Sequence, residues 1–554
     1  MGEGATGEMA ALSIRLFLIA LVATCLYAQS NSYVGSKACY GCHTAIYRSF
    51  VKTAMGRSIT PAGEWQAGSL PPEATITPTG SSHTFTVAHN EAGWLQTESE
   101  TGVFSVEHQL AYAVGSGANG LSFLVRRGNY LFQAPLSFYS RTKKWDFSPG
   151  YEQADLGFNR VVPEECINCH AGRAAPVPDK PGAYSEPAFR ELAIGCENCH
   201  GPGEAHVKSL GKRAGTIVNP AKLTPRLAEN ICMNCHQGGD ARVTQPGRTY
   251  LDFQPGQWLF DTAIILKQPV RTKEQQERDL LEHYSAMQVS KCFRESGGKL
   301  SCLTCHDPHI EPSQQEAVGY YRAKCLTCHN EKSCKVPLAV RVSQSPADNC
   351  AGCHMPKREV LQISHAALTN HRIPAKEGEA IPNLPQNEIN GLIVVNQPPG
   401  RAIQISKPVL LKAYAELIPK NADYGRLYAQ LLNELSRTES KDSFVQAALG
   451  HQAMTEEHLD EAIAHFKLAL PTTNSNTYLE LGQSLAKIGK SNESIEYLKK
   501  GIEMDPYNAL LQKTLILQYI NAKSYVEART LMESYVATFP EDSFMRSILA
   551  KVSR

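Results

Sequence analysis

Seven short motifs of the form Cys-x-x-Cys-His constrain this chain more than any other feature. The motifs consist of Cys39, Cys42 and His43; Cys166, Cys169 and His170; Cys196, Cys199 and His200; Cys232, Cys235 and His236; Cys302, Cys305 and His306; Cys325, Cys328 and His329; and Cys350, Cys353 and His354. In such a motif the two thiols add across the vinyl groups of a porphyrin, and the histidine binds the iron as the proximal ligand. The alternative is a set of zinc sites, but zinc does not explain a histidine after every second cysteine. The motifs therefore predict seven covalently bound haem c groups.

Histidines outside the motifs are candidates for the opposite, distal side of each iron. The candidates that follow motifs or lie between them are His206, His283, His309, His365 and His371. A histidine that follows one motif closely is expected to serve a neighbouring haem, which would bring the macrocycles together. His108 is a weaker candidate in a predicted strand, whereas His83 and His89 are expected to face solvent. Three further histidines (His451, His458 and His465) fall in the C-terminal region and are expected to be surface or packing residues.

The N-terminus and the overall charge indicate the compartment. Residues 1–30 contain Arg15, an apolar run and a small-residue cleavage site, so they are predicted to be a signal peptide. A lipoprotein anchored at Cys25 is the alternative. The chain has 55 Lys and Arg against 54 Asp and Glu, which gives no indication of a nucleic-acid partner. We expect an exported protein, periplasmic or on the outer cell surface, whose mature chain has no membrane span.

Hydrophobic patterns divide the mature chain into successive parts. Residues 31–372 are predicted to form the seven-haem domain, with a small antiparallel β insert at about 71–160 that contains hairpins near 84–94 and 121–132. Because six motifs fall between 166 and 354, we expect stacked haems to form the core there, with sparse secondary structure. Residues 373–407 are rich in proline and are predicted to be a linker. The predicted fold class is therefore mainly α around haems, with a small β insert and a C-terminal α-solenoid.

Residues 408–554 are predicted to be helical, with an internal repeat of about 32 residues. Leu449-Gly450 and Leu481-Gly482 are separated by that spacing, and Pro506 and Pro540 occur where repeat units would end. This pattern resembles the tetratricopeptide repeat, in which paired helices stack into a curved array that binds protein or peptide. A helical bundle with coincidental spacing is the alternative.

The motif-bearing part resembles multihaem cytochromes related to the tetrahaem electron-transfer cytochromes of ammonia oxidisers. The resemblance depends on 39–55, on the string Cys-Glu-Asn-Cys-His-Gly-Pro-Gly-Glu-Ala-His at 196–206, and on the segments at 302–309 and 350–356. It implies that His206 and His309 are distal ligands. In that family a ligand histidine often follows the first motif histidine by twelve positions. Here Met55 occupies that position, so the resemblance implies a methionine ligand; packing beside a porphyrin is the alternative.

These features favour an electron-transfer protein with redox partner proteins and a repeat domain that docks a protein or peptide. The alternative is an oxidoreductase that acts on a small nitrogen or sulfur compound at one haem with an open coordination position. No Cys-x-x-Cys-Lys motif occurs, which argues against the lysine-ligated nitrite reductases. Cys292 and Cys334 are left over, either as a disulfide or as two separate thiols.

Overall fold

The computed structural model describes residues 31–66, 68–151, 156–273, 282–357, 369–376, 378–382, 388–438 and 440–552. The predicted signal peptide (1–30), Cys25 and the predicted ligand His365 lie outside these residues.

Three antiparallel sheets occur in the described part of the chain. The first has nine strands: β1 Ile59–Pro61, β2 Glu73–Ile76, β3 Thr84–Asn90, β4 Gly93–Glu100, β5 Phe104–Val114, β6 Gly120–Arg127, β7 Tyr130–Gln133, β8 Leu136–Tyr139 and β9 Lys144–Phe147. The second is a hairpin of β10 Ala171–Pro176 and β11 Tyr184–Ala193. The third has the order β12–β13–β15–β14, with β12 Ala241–Thr244, β13 Ala263–Lys267, β14 Glu388–Ile389 and β15 Leu392–Val394.

The nine-stranded sheet, called the large sheet below, is built from short strands that alternate buried and exposed side chains. In β3 the buried positions are Phe85 and Val87, as the pleat requires of a strand with one face on a core. The two predicted hairpins are present as β3–β4 and β6–β7. Aromatic side chains dominate the core, and the Trp145 ring contacts both Trp94 and Phe123.

The predicted fold class is wrong. The structure is 41% helical and 18% strand, and its N-terminal region contains a large, nearly closed antiparallel sheet instead of a small insert. Residues 166–300 also have an apolar protein core, which includes Ile231, Leu259 and Tyr284. The error came from assigning the core of that region to haem alone, although strands can build a sheet between the motifs.

The helices before residue 360 are short, and several begin or end at a motif. They are α1 Thr44–Phe50, α2 Glu164–Ile167, α3 Glu197–His200, α4 Glu204–Lys208, α5 Pro225–His236, α6 His283–Val289, α7 Lys291–Glu295, α8 Cys302–Cys305, α9 Gln314–Cys325, α10 Leu338–Val342 and α11 Cys350–His354. Because α1 ends at Phe50, Met55 lies in the turns that follow it and not on the motif helix.

The helices after residue 400 are longer and pair with their neighbours in sequence. They are α12 Lys407–Leu417, α13 Asp423–Ser436, α14 Ser443–Thr455, α15 Leu459–Ala469, α16 Ser475–Lys487, α17 Ser491–Met504, α18 Ala509–Asn521, α19 Tyr525–Thr538 and α20 Ser543–Val552. Residues 443–552 are called the repeat array below.

Small residues let the paired helices of the repeat array approach closely. A Cβ added to Gly450 would lie 2.6 Å from the Phe466 ring, and one added to Gly482 would lie 2.6 Å from Leu498. Only glycine fits such a crossing, because distances under 3.0 Å require the neighbour to move. The spacing noticed in the sequence therefore reflects the helix-crossing points of the repeats.

The helical region contacts the rest of the molecule at both of its ends. At the first end, Leu410 and Leu411 of α12 share a core with Ile264 and Leu266 of β13. At the other end, the Arg127 guanidinium of the large sheet donates to the Thr538 carbonyl at 2.9 Å and stacks on Tyr507. Residues 388–394, from the segment predicted to be a linker, form two of the strands beneath α12 and α13.

Candidate haem sites

Most attachment motifs fold into a helical turn. The backbone N–H of His43 donates to the carbonyl of Cys39 at 2.9 Å. In the same way, the backbone N–H of His306 donates to the carbonyl of Cys302 at 2.9 Å. One helical turn brings residues four apart to the same side. Both cysteines and the histidine can therefore face one porphyrin.

The first and third motifs are held against each other. The Cys39 and Cys196 side chains are in hydrogen-bond contact. The buried Glu197 carboxylate accepts the backbone N–H of Gly35 at 2.7 Å and that of Gly203 at 2.7 Å. Glu197 thus joins the segment before the first motif to the turn before His206. Glu197 lies within the string at 196–206, but its sequence context gives no sign of this role.

Two pairs of histidines have the geometry expected around an iron. The His43 and His206 rings lie 6.3 Å apart between centroids with an interplanar angle of 20°, and the His200 and His309 rings lie 6.0 Å apart at 20°. Two bonds of about 2 Å from imidazole nitrogen to metal, plus the two half-rings, give a centroid separation of roughly 6 Å. The residues present therefore fit a haem iron between each pair.

Four more histidines cluster around the fourth and fifth motifs. The His306 and His371 rings are 6.3 Å apart at 33°, whereas His236 and His283 are 5.2 Å apart at 72°. His283 and His371 also lie 4.8 Å from each other. The structure thus places His283 beside the fourth motif and His371 beside the fifth, with the two candidate ligands adjacent.

Burial keeps these candidate ligands neutral. Desolvation, and to a smaller extent the nearby imidazoles, lower the pKa of His283 to about 3. Desolvation also lowers the pKa of His200 and that of His371. A neutral imidazole is the form that binds iron, so the site favours ligation over protonation.

Contacts between cysteines of different motifs link the attachment sites. Cys169 of the second motif is in hydrogen-bond contact with Cys235 of the fourth, and Cys232 of the fourth is in contact with Cys302 of the fifth. Other cysteine side chains of neighbouring motifs lie close enough to interact electrostatically: Cys199 with Cys235, Cys305 with Cys328, and Cys325 with Cys350. All seven motifs therefore form one connected set of neighbours, in which the fourth motif lies beside the second, the third and the fifth.

The remaining candidates lie in different surroundings. The Ser58 hydroxyl, three residues after Met55, donates to the His170 carbonyl at 2.6 Å, so Met55 belongs to a segment beside the second motif. His354 Nδ1 is 2.8 Å from the Pro374 carbonyl oxygen. In the part of the chain that the structure describes, no other imidazole ring is in contact with His329.

The three histidines in or beside the strands of the large sheet have partners in that part of the molecule. His83 pairs with Glu98 at 3.1 Å, and His89 contacts Trp94. His108 packs on Phe158, and burial lowers its pKa to about 4. Each of the three imidazoles therefore contacts a residue outside the attachment motifs.

Two cysteines outside the motifs are free thiols. Cys292 lies in electrostatic proximity to Cys328 of the sixth motif, whereas Cys334 lies near Arg341. This arrangement agrees with two separate thiols and not with the predicted alternative of a disulfide.

Sequence reasoning also missed Glu229, an almost fully buried carboxylate one helical turn before Cys232. Burial raises the pKa of Glu229 to about 7, and Arg226, whose guanidinium nitrogen is 3.6 Å away, opposes the shift. The surrounding polar sequence of α5 carries no signal that this one acid would be buried.

Two family models match parts of the chain. Residues 142–201 match the family described as cytochrome c554 and c-prime, and this range contains the second and third motifs. Residues 475–508 match the tetratricopeptide repeat, and this range contains α16 and α17. In these two ranges the chain is therefore similar to the cytochrome c554 and c-prime family and to the tetratricopeptide repeat, and the cytochrome match implies covalently bound haem c.

Three solved structures illustrate the likeness of the two parts. The outer cell wall cytochrome OcwA is 16% identical over 82% of this chain and 99% of its own, with a TM-score of 0.40. A chain of the APC/C hetero-tetramer Cut9–Hcn1 is 19% identical over 27% of this chain, with a TM-score of 0.24; the match spans only 30% of that chain. YrrB, described as a tetratricopeptide-repeat protein with an unusual peptide-binding site, is 17% identical over 26% of this chain and 82% of its own, with a TM-score of 0.21. No curated protein matches the chain.

Within the described ranges, no helix has the length and apolar character needed to cross a bilayer.

Proposed function

We propose that this protein carries seven haem c groups and passes electrons along them between partner proteins. The observation that supports this function most directly is the connected set of contacts between motifs, in which the Cys39–Cys196, Cys169–Cys235 and Cys232–Cys302 pairs are the closest links. A connected set of attachment sites suits electron transfer, because every site lies beside at least one other. The predicted relation to the tetrahaem cytochromes of ammonia oxidisers stays a prediction.

The chain's own residues attach the haems, supply axial ligands and limit water. The fourteen motif cysteines attach the porphyrins, and the seven motif histidines are the proximal ligands of the irons. The distal ligands are Met55, His206, His283, His309, His365 and His371. When bound, haem c supplies one-electron iron chemistry, whose potential depends on the axial ligand, hydrogen bonds and burial. The protein sets those three variables separately at each motif.

The cytochrome match supports a location outside the cytoplasm, periplasmic or extracellular. The predicted signal peptide (1–30) agrees with this location, since covalent haem c attachment occurs on the outer side of the cytoplasmic membrane. The repeat array supplies a surface for docking a protein or peptide, as stacked helix pairs do in other solenoids. The exposed Leu510 and Leu517 lie on one face of α18 and are available for such a contact.

The test is a haem count combined with a redox titration of the full-length protein. Intact mass should show seven covalent haems, and the titration should be reversible over a wide range of potential. Reduced protein should also transfer its electrons to a soluble acceptor. Fewer than seven haems, or a bound haem that exchanges no electrons with the others, would contradict the proposal.

A further inference from the structure

The first motif lies at an end of the connected set of motifs and at the surface of the molecule. Within the described ranges, its cysteine contact with another motif is the one between Cys39 and Cys196 of the third motif. Cys42 is exposed, so an edge of a porphyrin attached there lies at the surface. The His43 and His206 rings, 6.3 Å apart, fit the iron of this site. An electron that passes between two proteins needs such a haem edge where they touch.

The chain on both sides of this iron contains basic residues and no acidic ones. Residues 31–56, on the His43 side, have three Lys or Arg and no Asp or Glu, and residues 205–218, on the His206 side, have the same composition. The whole chain has 55 basic and 54 acidic residues, so these two segments depart strongly from its average. Their basic residues are Lys37, Arg48, Lys52, Lys208, Lys212 and Arg213.

The tertiary structure brings the two segments together. The Asn31 side chain donates to the Pro202 carbonyl at 2.6 Å and accepts the backbone N–H of Ala205 at 2.8 Å. Lys208 is paired with Glu204 at 2.6 Å. The other five basic side chains are exposed, and none of them has a carboxylate partner in the part of the chain that the structure describes. These five residues, called the basic surface below, are Lys37, Arg48, Lys52, Lys212 and Arg213.

Three acidic residues that pack against the first segment use their carboxylates to bind its backbone. Glu191, Glu197 and Glu311 accept the backbone N–H groups of Ser36, Gly35 and Ala54 at 3.0, 2.7 and 2.7 Å. These carboxylates point to the protein, whereas the cations of the basic surface point to solvent. An approaching protein therefore meets positive charge at this end of the molecule.

A shallow cleft beside α1 offers a place for an acidic side chain. The cleft has a volume of about 330 Å³, with Arg48 and Lys52 on one side and Ile310 and Glu311 on the other. Because Glu311 already accepts the Ala54 N–H, the two cations are the groups that a partner's carboxylate can bind.

Exposed apolar side chains lie among the cations. Tyr40 and Ile46 are exposed on the His43 side, and Leu210, on the His206 side, is 73% exposed. Docking surfaces of proteins combine apolar contacts with surrounding charge, which aligns the partner. The region around the first motif has both components.

We propose that the basic surface docks an acidic protein that carries a one-electron redox centre, and that one electron passes between this centre and the haem on His43. The inference rests on the proposed electron-transfer function and adds the docking site and the charge of the partner. One centre loses the electron and the other gains it, while no covalent bond forms or breaks. Opposite charge speeds the encounter of the two proteins.

The experiment uses the full-length holoprotein with plant-type ferredoxin, an acidic protein that carries one electron on an iron–sulfur cluster. Stopped-flow spectroscopy measures the second-order rate constant for electron transfer from reduced ferredoxin, and calorimetry measures the Kd of oxidised ferredoxin. The rate constant should rise by about tenfold as the ionic strength falls from about 0.15 M to about 0.01 M. Mitochondrial cytochrome c, a basic carrier, should show no such rise.

Neutral substitutions locate the docking site. At low ionic strength, Lys37→Gln/Lys52→Gln/Lys212→Gln/Arg213→Gln should lower the rate constant with ferredoxin and weaken its binding, each by roughly three- to tenfold. The matched control Lys143→Gln/Lys144→Gln/Lys523→Gln/Lys551→Gln removes the same charge at exposed lysines of the large sheet and the repeat array, and it should change both values by less than about twofold.

Four results would overturn the inference. They are an absence of ferredoxin binding, equal effects of the two variants, a rate constant that does not depend on ionic strength, and binding to vesicles of phosphatidylserine in place of ferredoxin. In each case a protein with seven haems that still exchange electrons with one another would leave the proposed function intact. A haem count below seven would instead contradict that function.

Discussion

Residues 301–357, called the three-motif segment below, and the repeat array stabilise themselves in opposite ways. In the described three-motif segment the only buried residues are Arg341 and Asp348, which form an ion pair. The repeat array instead buries apolar side chains at every helix crossing, among them Phe466, Leu481 and Leu498, each with 0% exposure. A segment without an apolar core cannot offset the entropy of ordering its chain, so we expect it to depend on bound haem. The array needs none.

The largest expected effect comes from withholding haem. If the chain is produced without the haem-attachment machinery, the three-motif segment should remain unfolded while the repeat array still forms, because only the array has a core of its own. Limited proteolysis followed by mass mapping should show cleavage throughout 301–357 and protection within 443–552. A protease-resistant three-motif segment in the haem-free chain would contradict the expectation that this segment, unlike the repeat array, needs haem to fold.

A core substitution in the repeat array should act on the array alone. Leu498→Ala leaves a cavity against Gly482 and should lower the free energy of unfolding of the array by about 2–5 kcal/mol. The control Leu517→Ala, at a position that is 53% exposed, should cost less than about 0.5 kcal/mol. Thermal unfolding followed by circular dichroism gives both values, and the haem potentials should stay the same in each variant.

The ion pair of the three-motif segment should make that segment sensitive to acid. Hydrogen bonds from Arg322 and then Arg341 hold the pKa of Asp348 below its ordinary value of 3.8. For a carboxyl whose pKa is lowered by folding, the stabilisation is present above the ordinary pKa and is lost as the pH falls through the lower one. The segment should therefore open as the pH falls below about 4.

Asp348→Asn should produce the same opening at neutral pH, because two arginines lose their carboxylate. Proteolysis of the holoprotein within 301–357 measures it, together with the potentials of the sixth and seventh haems. Glu331→Gln, at an exposed partner of the same arginines, is the matched control and should have a smaller effect. Equal effects of the two variants would show that the burial of Asp348 does not cause the opening of the segment.

The smallest effect should appear at Glu229, in the part of the haem region that does have an apolar core. The pKa of Glu229 is raised to about 7 by burial, so the carboxyl is neutral below and ionised above that pH. A negative charge beside the fourth and fifth motifs favours oxidised iron. One or two midpoint potentials should therefore fall as the pH rises through 7, by at most about 59 mV per pH unit.

Glu229→Gln should remove this pH dependence and leave the spin state unchanged. Redox titrations at a series of pH values measure it, with Glu165→Gln at an exposed acid as the control. A pH dependence that survives in the Gln variant would assign the proton to another group.

The sequence by itself determined the features that depend on local spacing. The attachment turns are local because cysteines and histidine four apart meet on one helical turn, and Gly450 and Gly482 mark helix crossings that recur along the chain. The hairpins at 84–94 and 121–132 are also local, since each joins neighbouring strands. For the same reason His206 and His309 were identified as candidates from their place after motifs.

Only the tertiary structure decided the pairings across long separations. His206 lies opposite His43, and His371 opposite His306, because contacts such as that of Glu197 with Gly35 bring distant motifs together. The extent of the large sheet and the addition of residues 388–394 to β13 likewise depend on strands far apart in sequence. Pairing of remote segments depends on the packing of the whole chain, and a single sequence contains no local signal for it.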